Sequence, residues 1–182
     1  MENKKIKIAI VGCGRILKNH LIAIQNNKKL ELVAVCDNQI NRAKEAGEKN
    51  NVKYYENYHD MLKNHPDIDI VSILTPSGLH ADHAIDIVKN YQKHIIVEKP
   101  MALALEDAEE MIKICDNYGV KLFVVKQNRF NLPVMKLKEY INTNRFGKIF
   151  LGTVRVRWSR TQEYYDMDEW RGTWKYDGGV LA

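Results

Sequence analysis

The chain has 182 residues, of which 45% are hydrophobic and 28% are charged, and its formal net charge is +5. This length suffices for one complete hydrophobic core and the start of a second, the apolar runs are too short to cross a bilayer, and the scattered lysines argue against a nucleic-acid partner. The three cysteines lack metal-ligand spacing and fit free thiols, so we expect a cytoplasmic protein that has no signal peptide and does not bind membranes.

Apolar runs alternate with amphipathic segments along the first 125 residues. The pattern predicts strands at residues 6–11, 30–36, 53–55, 68–74, 95–97 and 122–125, and helices at residues 15–26, 39–50, 58–63, 79–90 and 105–118. Such alternation is typical of βαβ units and a parallel sheet. Strands that are apolar throughout indicate helices on both faces. Gly119 fits the glycine that often follows the last turn of a helix.

The pattern changes after about residue 125. A further helix is predicted at residues 131–142, and residues 148–159 ("KIFLGTVRVRWS") alternate in part between apolar and polar side chains. That period is typical of a half-exposed strand in an antiparallel or mixed sheet. We therefore divide the chain into an α/β domain with a doubly wound parallel sheet, at residues 1–124, and the incomplete start of an α+β substrate domain, at residues 125–182.

The first strand runs directly into a glycine turn, "GCG", that opens the first helix. Gly12 permits the tight turn, and Gly14 lets a pyrophosphate approach the backbone near the helix N-terminus, where free N–H groups favour anions. Arg15 and Ile16, at the start of the helix, belong to the same predicted site. The third glycine position of a dinucleotide-binding turn holds Leu17 instead. In this strand–turn–helix context the motif predicts a Rossmann-type dinucleotide site.

An acidic residue, Asp37, closes the second strand about twenty residues after the turn, where a carboxylate accepts hydrogen bonds from the adenosine ribose hydroxyls. It would repel a 2′-phosphate. Asn38 and Gln39 offer no cation, although Arg42 lies one helical turn further on, so we predict NAD rather than NADP. Asp37 could also serve as the N-cap of the next helix.

The loop "LTPSGLH" follows the fourth strand. Ligands of doubly wound folds bind beyond the carboxyl ends of the strands, so Thr75, Pro76 and His80 are predicted to line the cofactor. Ser77 is placed to cap the next helix. His80 and His83 are one helical turn apart, but a zinc site needs further ligands, so we predict no metal.

The fifth strand ends in "EKP", which brings Glu98 and Lys99 to that same edge of the sheet. A surface turn stiffened by proline would account for the tripeptide alone, but two ligand-facing loops lie beside it. A lysine can act as a general base when desolvation and a nearby cation lower its pKa. Pro100 restricts the backbone and so helps to fix the direction of Lys99.

Five segments, "GCGRILKNH", "AVCD", "TPSGLH", "VEKPMAL" and "QNRF", occur in this order, and together they resemble the glucose–fructose oxidoreductase and inositol dehydrogenase family (Gfo/Idh/MocA). The resemblance implies an NAD-dependent sugar oxidoreductase in which Lys99 is catalytic, beside the nicotinamide and the reacting hydroxyl. Gln127 joins the implied cofactor site, and Glu98 positions the lysine or the ribose. The tail is similar to the branch that acts on UDP-N-acetylglucosamine, or its uronic acid, in surface-polysaccharide synthesis.

The resemblance also implies what the chain binds. A small-molecule sugar or sugar-nucleotide substrate is expected, and the full-length family member is expected to be a homo-oligomer. Candidate contacts to the substrate, chiefly to phosphate or carboxylate groups, are Lys99, Asn128, Arg129, Arg155, Arg160 and Arg171. After "DGGVL" the family normally continues with a catalytic histidine, so we expect this chain to be the N-terminal part of a longer enzyme.

Two other functions are compatible with parts of the pattern. S-adenosylmethionine-dependent methyltransferases also combine a glycine turn with an acid after the second strand, although they give no reason for "EKP". A nucleotide-binding sensor or regulatory module without catalysis would keep the turn and the acid and would not need Lys99.

Overall fold

The computed structural model describes residues 4–178. Its six strands are β1 (Ile6–Val11), β2 (Leu30–Cys36), β3 (Lys53–Tyr55), β4 (Ile70–Ile73), β5 (His94–Val97) and β6 (Leu122–Val124). Its helices are α1 (Leu17–Gln25), α2 (Ile40–Asn50), α3 (Tyr58–Asn64), α4 (His80–Tyr91), α5 (Leu105–Asn117), α6 (Leu132–Asn142) and α7 (Gln162–Asp166), and 3₁₀ turns lie at Ser77–Leu79 and Gln127–Phe130.

All six strands are parallel and form one sheet in the order β3-β2-β1-β4-β5-β6. The first three strands progress towards one edge, and the chain then returns to the centre and builds the other half. Neighbouring β1 and β4 therefore send their loops in opposite directions, and the carboxyl edge between them is where ligands of doubly wound folds bind. The prediction of an α/β, Rossmann-type doubly wound fold is confirmed.

Two apolar clusters, one on each face of the sheet, form the core. Alternate residues of a strand point to opposite faces, and β1 shows this directly, because Ile8 and Ile10 pack in one cluster whereas Ala9 and Val11 pack in the other. All four of these side chains are buried. This two-sided burial is the physical reason why the strands are apolar throughout.

Helix ends follow the local rules with one exception. Gly119 lies directly after the last turn of α5 with φ +66°, in the left-handed region, as predicted. Ser77 does not cap α4, so that prediction was wrong. A 3₁₀ turn, Ser77–Leu79, separates the fourth strand from the helix, and the residue at the N-cap of α4 is Leu79.

The strand predicted at residues 148–159 was wrong as well. These residues adopt no regular secondary structure, and their apolar side chains are open to solvent, with Phe150 84% and Val154 89% exposed. A strand is stabilised by hydrogen bonds to a neighbour, and no strand within residues 4–178 pairs with this segment. Alternating apolar and polar side chains indicate a segment with two different faces, but they do not show that a neighbouring strand is present.

Beyond this segment the chain returns to the carboxyl edge of the sheet. The backbone N–H of Gly78 donates to the carbonyl oxygen of Tyr176 at 3.0 Å, and Arg42 at the start of α2 contacts Asp168. Residues 162–178, here named the return segment, therefore lie against two ligand-facing loops. None of the helices within residues 4–178 combines the length and the apolar character needed to cross a bilayer.

Candidate cofactor-binding and catalytic site

The two glycines of the "GCG" turn have different structural environments. Gly12 has φ +103°, and a Cβ atom there would lie 2.7 Å from the carbonyl carbon of Leu74, so the contact between the β1 and β4 loops requires glycine. A Cβ at Gly14 would have no heavy atom within 4 Å. The packing of the protein therefore leaves Gly14 open, as expected where a pyrophosphate approaches the backbone.

The helix that follows the turn has an N-terminus without a side-chain cap. Ile16 holds the N-cap position of α1, and its first turn contains no acidic residue. The N–H groups and the positive end of the helix dipole at such an end favour an anion. Arg15 precedes the helix and adds positive charge. Gly14, Arg15 and Ile16 thus form a setting suited to a phosphate group.

Asp37 connects the end of β2 to the glycine turn. Its Oδ2 accepts a hydrogen bond from the Cys13 N–H at 2.7 Å, and its Oδ1 accepts one from the Gln39 N–H at 2.8 Å. A carboxylate has about four acceptor positions, so this buried group remains able to accept from ribose hydroxyls. Gln39, not Asp37, is the N-cap residue of α2, so the helix-cap alternative does not apply.

His80 braces the loops that follow β4 and β5. The ring is buried, with Nδ1 2.7 Å from the Pro100 carbonyl oxygen and Nε2 2.8 Å from that of Thr75. Burial lowers the pKa of His80, against the opposing effect of the two carbonyl groups. His83 uses Nδ1 to contact the Thr75 hydroxyl at 3.1 Å. Both histidines thus contact groups of these loops. The contact of Thr75, Pro76 and His80 with the cofactor remains a prediction.

Glu98 is held by a histidine from α1. His20 Nε2 lies 2.9 Å from Glu98 Oε1, and Ser72 Oγ lies 3.3 Å from His20 Nδ1. The other carboxylate oxygen, Oε2, accepts from the backbone N–H of Lys99 at 3.2 Å. Burial acts to raise the pKa of Glu98, but the hydrogen bonds from His20 and the Lys99 amide outweigh it, so this pKa lies below its ordinary value. Glu98 is therefore ionised at neutral pH, and its lowered pKa makes it a weak proton acceptor.

Sequence reasoning missed His20 and Ser72. The signal was present in "GRILKNH", because His20 lies one turn after Leu17, on the side of α1 that also carries the core residue Ile24. A polar side chain on an inward-facing helical position needs a buried partner. The partner itself, Glu98, lies 78 residues away in sequence, and only the fold brings the two together.

Lys99 stands at the carboxyl end of β5 with an exposed side chain. The peptide bond between Lys99 and Pro100 is cis. The backbone of Lys99 is tied to Glu98, as described above, and Pro100 is tied to His80 through its carbonyl group. The backbone of Lys99 is thus supported on both sides. The described residues leave its side-chain amine exposed to solvent and do not desolvate it.

The candidate substrate residues other than Lys99, together with Gln127 of the predicted cofactor site, form two groups and leave Arg155 apart from both. Gln127, Asn128 and Arg129 lie in the exposed 3₁₀ turn after β6, on the same edge of the sheet as Lys99, because all strands are parallel. Arg155 lies in the exposed irregular segment. Arg160 and Arg171 belong to the second group, around the return segment.

Tyr164 of α7 is the centre of that second group. The guanidinium groups of Arg160 and Arg171 lie 4.5 and 4.6 Å from its ring centroid, and that of Arg15 lies 5.5 Å away. Arg171 also donates to the Tyr164 hydroxyl at 2.8 Å, and its side chain is only 8% exposed. Arg171 thus lies next to the glycine turn, where it and Gly14 line a cavity of about 690 Å³ between α1 and α2.

A doubly wound sheet with a glycine turn at its switch point and an acid after β2 defines a dinucleotide-binding domain. Residues 6–126 match a family model, GFO_IDH_MocA, described as an oxidoreductase family with an NAD-binding Rossmann fold. The chain belongs to this family, and its cofactor is NAD. The match sets aside the S-adenosylmethionine alternative and confirms the resemblance seen in the sequence.

Two solved structures are similar to the chain as a whole. The WlbA dehydrogenase of Bordetella pertussis, in complex with NADH and UDP-GlcNAcA, is 43% identical, with a TM-score of 0.91 over 96% of this chain and 53% of that one. The WlbA dehydrogenase of Chromobacterium violaceum, in complex with the same two ligands, is also 43% identical, with a TM-score of 0.93 over 100% of this chain and 52% of that one.

Curated relatives are more distant. The D-glucoside 3-dehydrogenase of Escherichia coli is 30% identical over 158 residues, which are 86% of this chain and 44% of that protein. The chain thus spans about half the length of the solved structures and about two fifths of the length of the curated relatives it matches. No cluster of three or more His, Cys, Asp or Glu side chains suited to a metal occurs in the described part.

Proposed function

We propose that this chain is the cofactor-binding part of an NAD-dependent dehydrogenase that oxidises a hydroxyl group of a nucleotide-activated amino sugar such as UDP-GlcNAcA. One observation carries the substrate class. The similarity to the WlbA dehydrogenases extends over 96% and 100% of the chain, whereas the family model ends at residue 126. The return segment, with its arginines, is therefore included in the likeness to proteins solved with UDP-GlcNAcA.

The residues at the carboxyl edge supply binding and proton transfer. When bound, NAD supplies the hydride acceptor for the carbon that carries the hydroxyl. Gly14 leaves room for the pyrophosphate, and Asp37 accepts from the ribose hydroxyls. Lys99 takes the hydroxyl proton at Nζ, for which it must be neutral. Desolvation beneath the bound ligands and the positive charge of the oxidised cofactor both lower the pKa of a lysine.

Glu98 and His20 position the base. The ionised carboxylate of Glu98 accepts from the Lys99 backbone and is itself fixed by His20, so the loop holds one conformation before ligands arrive. Preorganised groups need little rearrangement in the transition state, which lowers the barrier. Asn128, Arg129, Arg155, Arg160 and Arg171 are assigned to the phosphates and the carboxylate of the sugar nucleotide. The four arginines suit this role because a guanidinium group binds phosphate and carboxylate in bidentate fashion.

The wider setting is part of the same proposal. We assign the enzyme to surface-polysaccharide synthesis in the cytoplasm, as a homo-oligomer, with the domain boundary near residue 125 and with no resident metal. A nucleotide-binding module without catalysis is the alternative, and it predicts binding of NAD without turnover.

The test combines turnover and binding. The full-length protein that contains this chain is purified and mixed with NAD and UDP-GlcNAcA, and NADH formation is followed by absorbance, while NADH affinity is measured by titration calorimetry. Lys99→Met should abolish turnover and change the NADH dissociation constant by less than about tenfold, because the cofactor retains its other contacts. Lys126→Met, a lysine two residues beyond β6, is the matched control. Persistent turnover in Lys99→Met contradicts the role of the lysine, and binding without turnover in the unaltered protein favours the non-catalytic module.

A further inference from the structure

Arg42 lies where a cofactor phosphate would be received. It belongs to the first turn of α2 (Ile40–Asn50), five residues after the acid that closes β2, and it lines the same cavity as Cys13 and Gly14. An arginine near this acid is the group that accommodates the 2′-phosphate of NADP in doubly wound folds. Arg42 is thus a cation that, left unpaired, would weaken the preference for NAD.

The return segment supplies an acid to that arginine. Asp168 Oδ1 lies 3.2 Å from Arg42 Nη2, although the two residues are 126 positions apart. The other oxygen of Asp168 accepts from Arg171 Nε at 3.1 Å. The carboxylate is therefore fixed by two arginines from different parts of the chain, and its side chain is only 20% exposed.

Arg42 and Asp168 line the same cavity as Cys13 and Gly14, so this contact lies beside the glycine turn of the predicted cofactor site. Arg42 and Asp37 exert opposite electrostatic effects on the same buried thiol, that of Cys13, whose backbone N–H donates to Asp37. The positive charge of Arg42 is therefore within range of the carboxylate assigned to the adenosine ribose.

We propose that Asp168 is a cofactor-specificity residue, which holds Arg42 in an ion pair and thereby excludes the 2′-phosphate of NADP. The inference rests on the proposed binding of the adenosine ribose at Asp37. A 2′-phosphate must then displace one carboxylate from Arg42 while it approaches a second. NADH carries no group at that position, so its binding leaves the Arg42–Asp168 pair intact.

The expected effect is moderate and selective. An exposed or half-exposed ion pair is worth up to about 1 kcal/mol, which corresponds to about a fivefold change in an equilibrium constant. Asp168→Asn should therefore tighten NADPH binding about three- to fivefold and leave NADH binding within about twofold. Because the effect is electrostatic, the gain should shrink as salt is raised.

The experiment measures NADH and NADPH dissociation constants by titration calorimetry for a set of variants of the full chain. Asp168→Asn is compared with Glu163→Gln, which removes one negative charge from the same return segment at an exposed position without contacting Arg42. The Asp168→Asn change is then repeated with Arg42→Gln and, separately, with Arg171→Gln. The NADPH gain should vanish with Arg42→Gln and persist with Arg171→Gln.

The results that would contradict the role of Asp168 differ from those that would contradict the cofactor site. An equal change for NADH and NADPH, or a gain that survives Arg42→Gln, overturns the role of Asp168. Failure of the unaltered protein to bind NADH contradicts the cofactor site itself, which separates the two hypotheses. If Asp168→Asn does not fold, Asp168→Ser is measured in its place and Asp168→Glu, which keeps the charge, should retain the preference for NADH. A loss of that preference in Asp168→Glu with circular dichroism unchanged also contradicts the proposal.

Discussion

At the scale of single residues, the two glycines of the glycine turn serve different purposes. Gly12 is needed for folding, whereas Gly14 is expected to be needed for binding. Gly12 combines a left-handed backbone with a Cβ position that the Leu74 backbone occupies, whereas Gly14 faces open space. Both glycines belong to one sequence motif, and the sequence alone assigns them the same kind of importance. The structure predicts different consequences for their replacement.

Replacement of each glycine by alanine tests this difference. Gly12→Ala should lower the free energy of unfolding by about 2–4 kcal/mol, because it adds backbone strain and a steric clash. Gly14→Ala should change stability by less than about 1 kcal/mol and should weaken NADH binding about tenfold, because the methyl group occupies the approach of the pyrophosphate. Urea unfolding and calorimetry measure the two quantities. A severely destabilised Gly14→Ala would contradict the open environment described here.

A second residue-scale prediction concerns the pH dependence contributed by Glu98. Its pKa in the folded protein is lowered from the ordinary value of 4.5, so its stabilising contribution is complete above that value and is lost as pH falls through the folded pKa. At neutral pH, Glu98→Gln should lower the unfolding free energy by about 1–3 kcal/mol, because the bond to His20 is weakened. The difference between the two proteins should disappear in acid, as measured by urea unfolding across the pH range.

The exposed Glu106→Gln serves as the control. If the loss of unfolding free energy in Glu98→Gln persists unchanged below the folded pKa, the role of the ionised carboxylate is contradicted.

At the scale of elements, the β-strands of the sheet and their helices could be predicted because their signals are local. The periods of buried and exposed side chains define each element without reference to the rest of the chain, and β2 and β3 begin and end where the sequence placed them. The strand at residues 148–159 failed because a strand also depends on a partner that periodicity cannot supply. Ser77 failed because a 3₁₀ turn intervenes before α4, and a capping residue alone does not fix where a helix starts.

The attachment of the return segment gives an element-scale prediction. A Cβ at Gly78 would lie 2.1 Å from the Lys175 carbonyl oxygen, so Gly78→Ala should detach the return segment from the loop after β4 without opening the sheet. All three tryptophans belong to the chain after residue 148, so tryptophan emission reports on this part of the molecule. We expect faster proteolysis after residue 160 and only a small red shift of the emission, because Trp158 and Trp174 are already exposed.

Gly152→Ala is the matched control for this prediction. Its Cβ position is free of contacts within 4 Å, and it lies in the same part of the chain, so emission and proteolysis should remain unchanged. If Gly78→Ala behaves like Gly152→Ala, the contact between the return segment and the β4 loop is not formed in solution.

At the scale of the whole molecule, parallel topology made the location of the candidate site predictable. Every loop that follows a strand lies at one edge of the sheet, so Gly14, Asp37, Thr75 and Lys99 could be grouped before their positions were known. The contacts between side chains could not be grouped in this way. The His20–Glu98 and Arg42–Asp168 pairs join residues 78 and 126 positions apart, and such pairs depend on how helices and the return segment pack.

The burial of the three cysteine thiols predicts how fast the folded molecule reacts with thiol reagents. Cys13, Cys36 and Cys115 are buried in the core. Burial, with a smaller contribution from the nearby carboxylate of Asp37, raises the pKa of the Cys13 thiol and that of the Cys36 thiol to about 12. Thiol reagents need the thiolate, so labelling of the native protein at mildly alkaline pH should be slow and limited by unfolding. In urea, all three should react rapidly, as counted by absorbance or mass spectrometry. Rapid labelling of the native protein would contradict this burial.

The imidazole of His80 affects when the loop that carries Lys99 becomes ordered. Its ring lies within hydrogen-bonding distance of the carbonyl oxygens of Thr75 and Pro100. Since its lowered pKa keeps the ring neutral, it donates to one of them, while its burial packs the loop of Lys99 against the loop after β4. The conformational entropy of the loop that carries Lys99 is then lost during folding and not on ligand binding. A site assembled in advance in this way spends more of its binding energy on the transition state. His80 therefore links the packing of the core to the loop that carries Lys99.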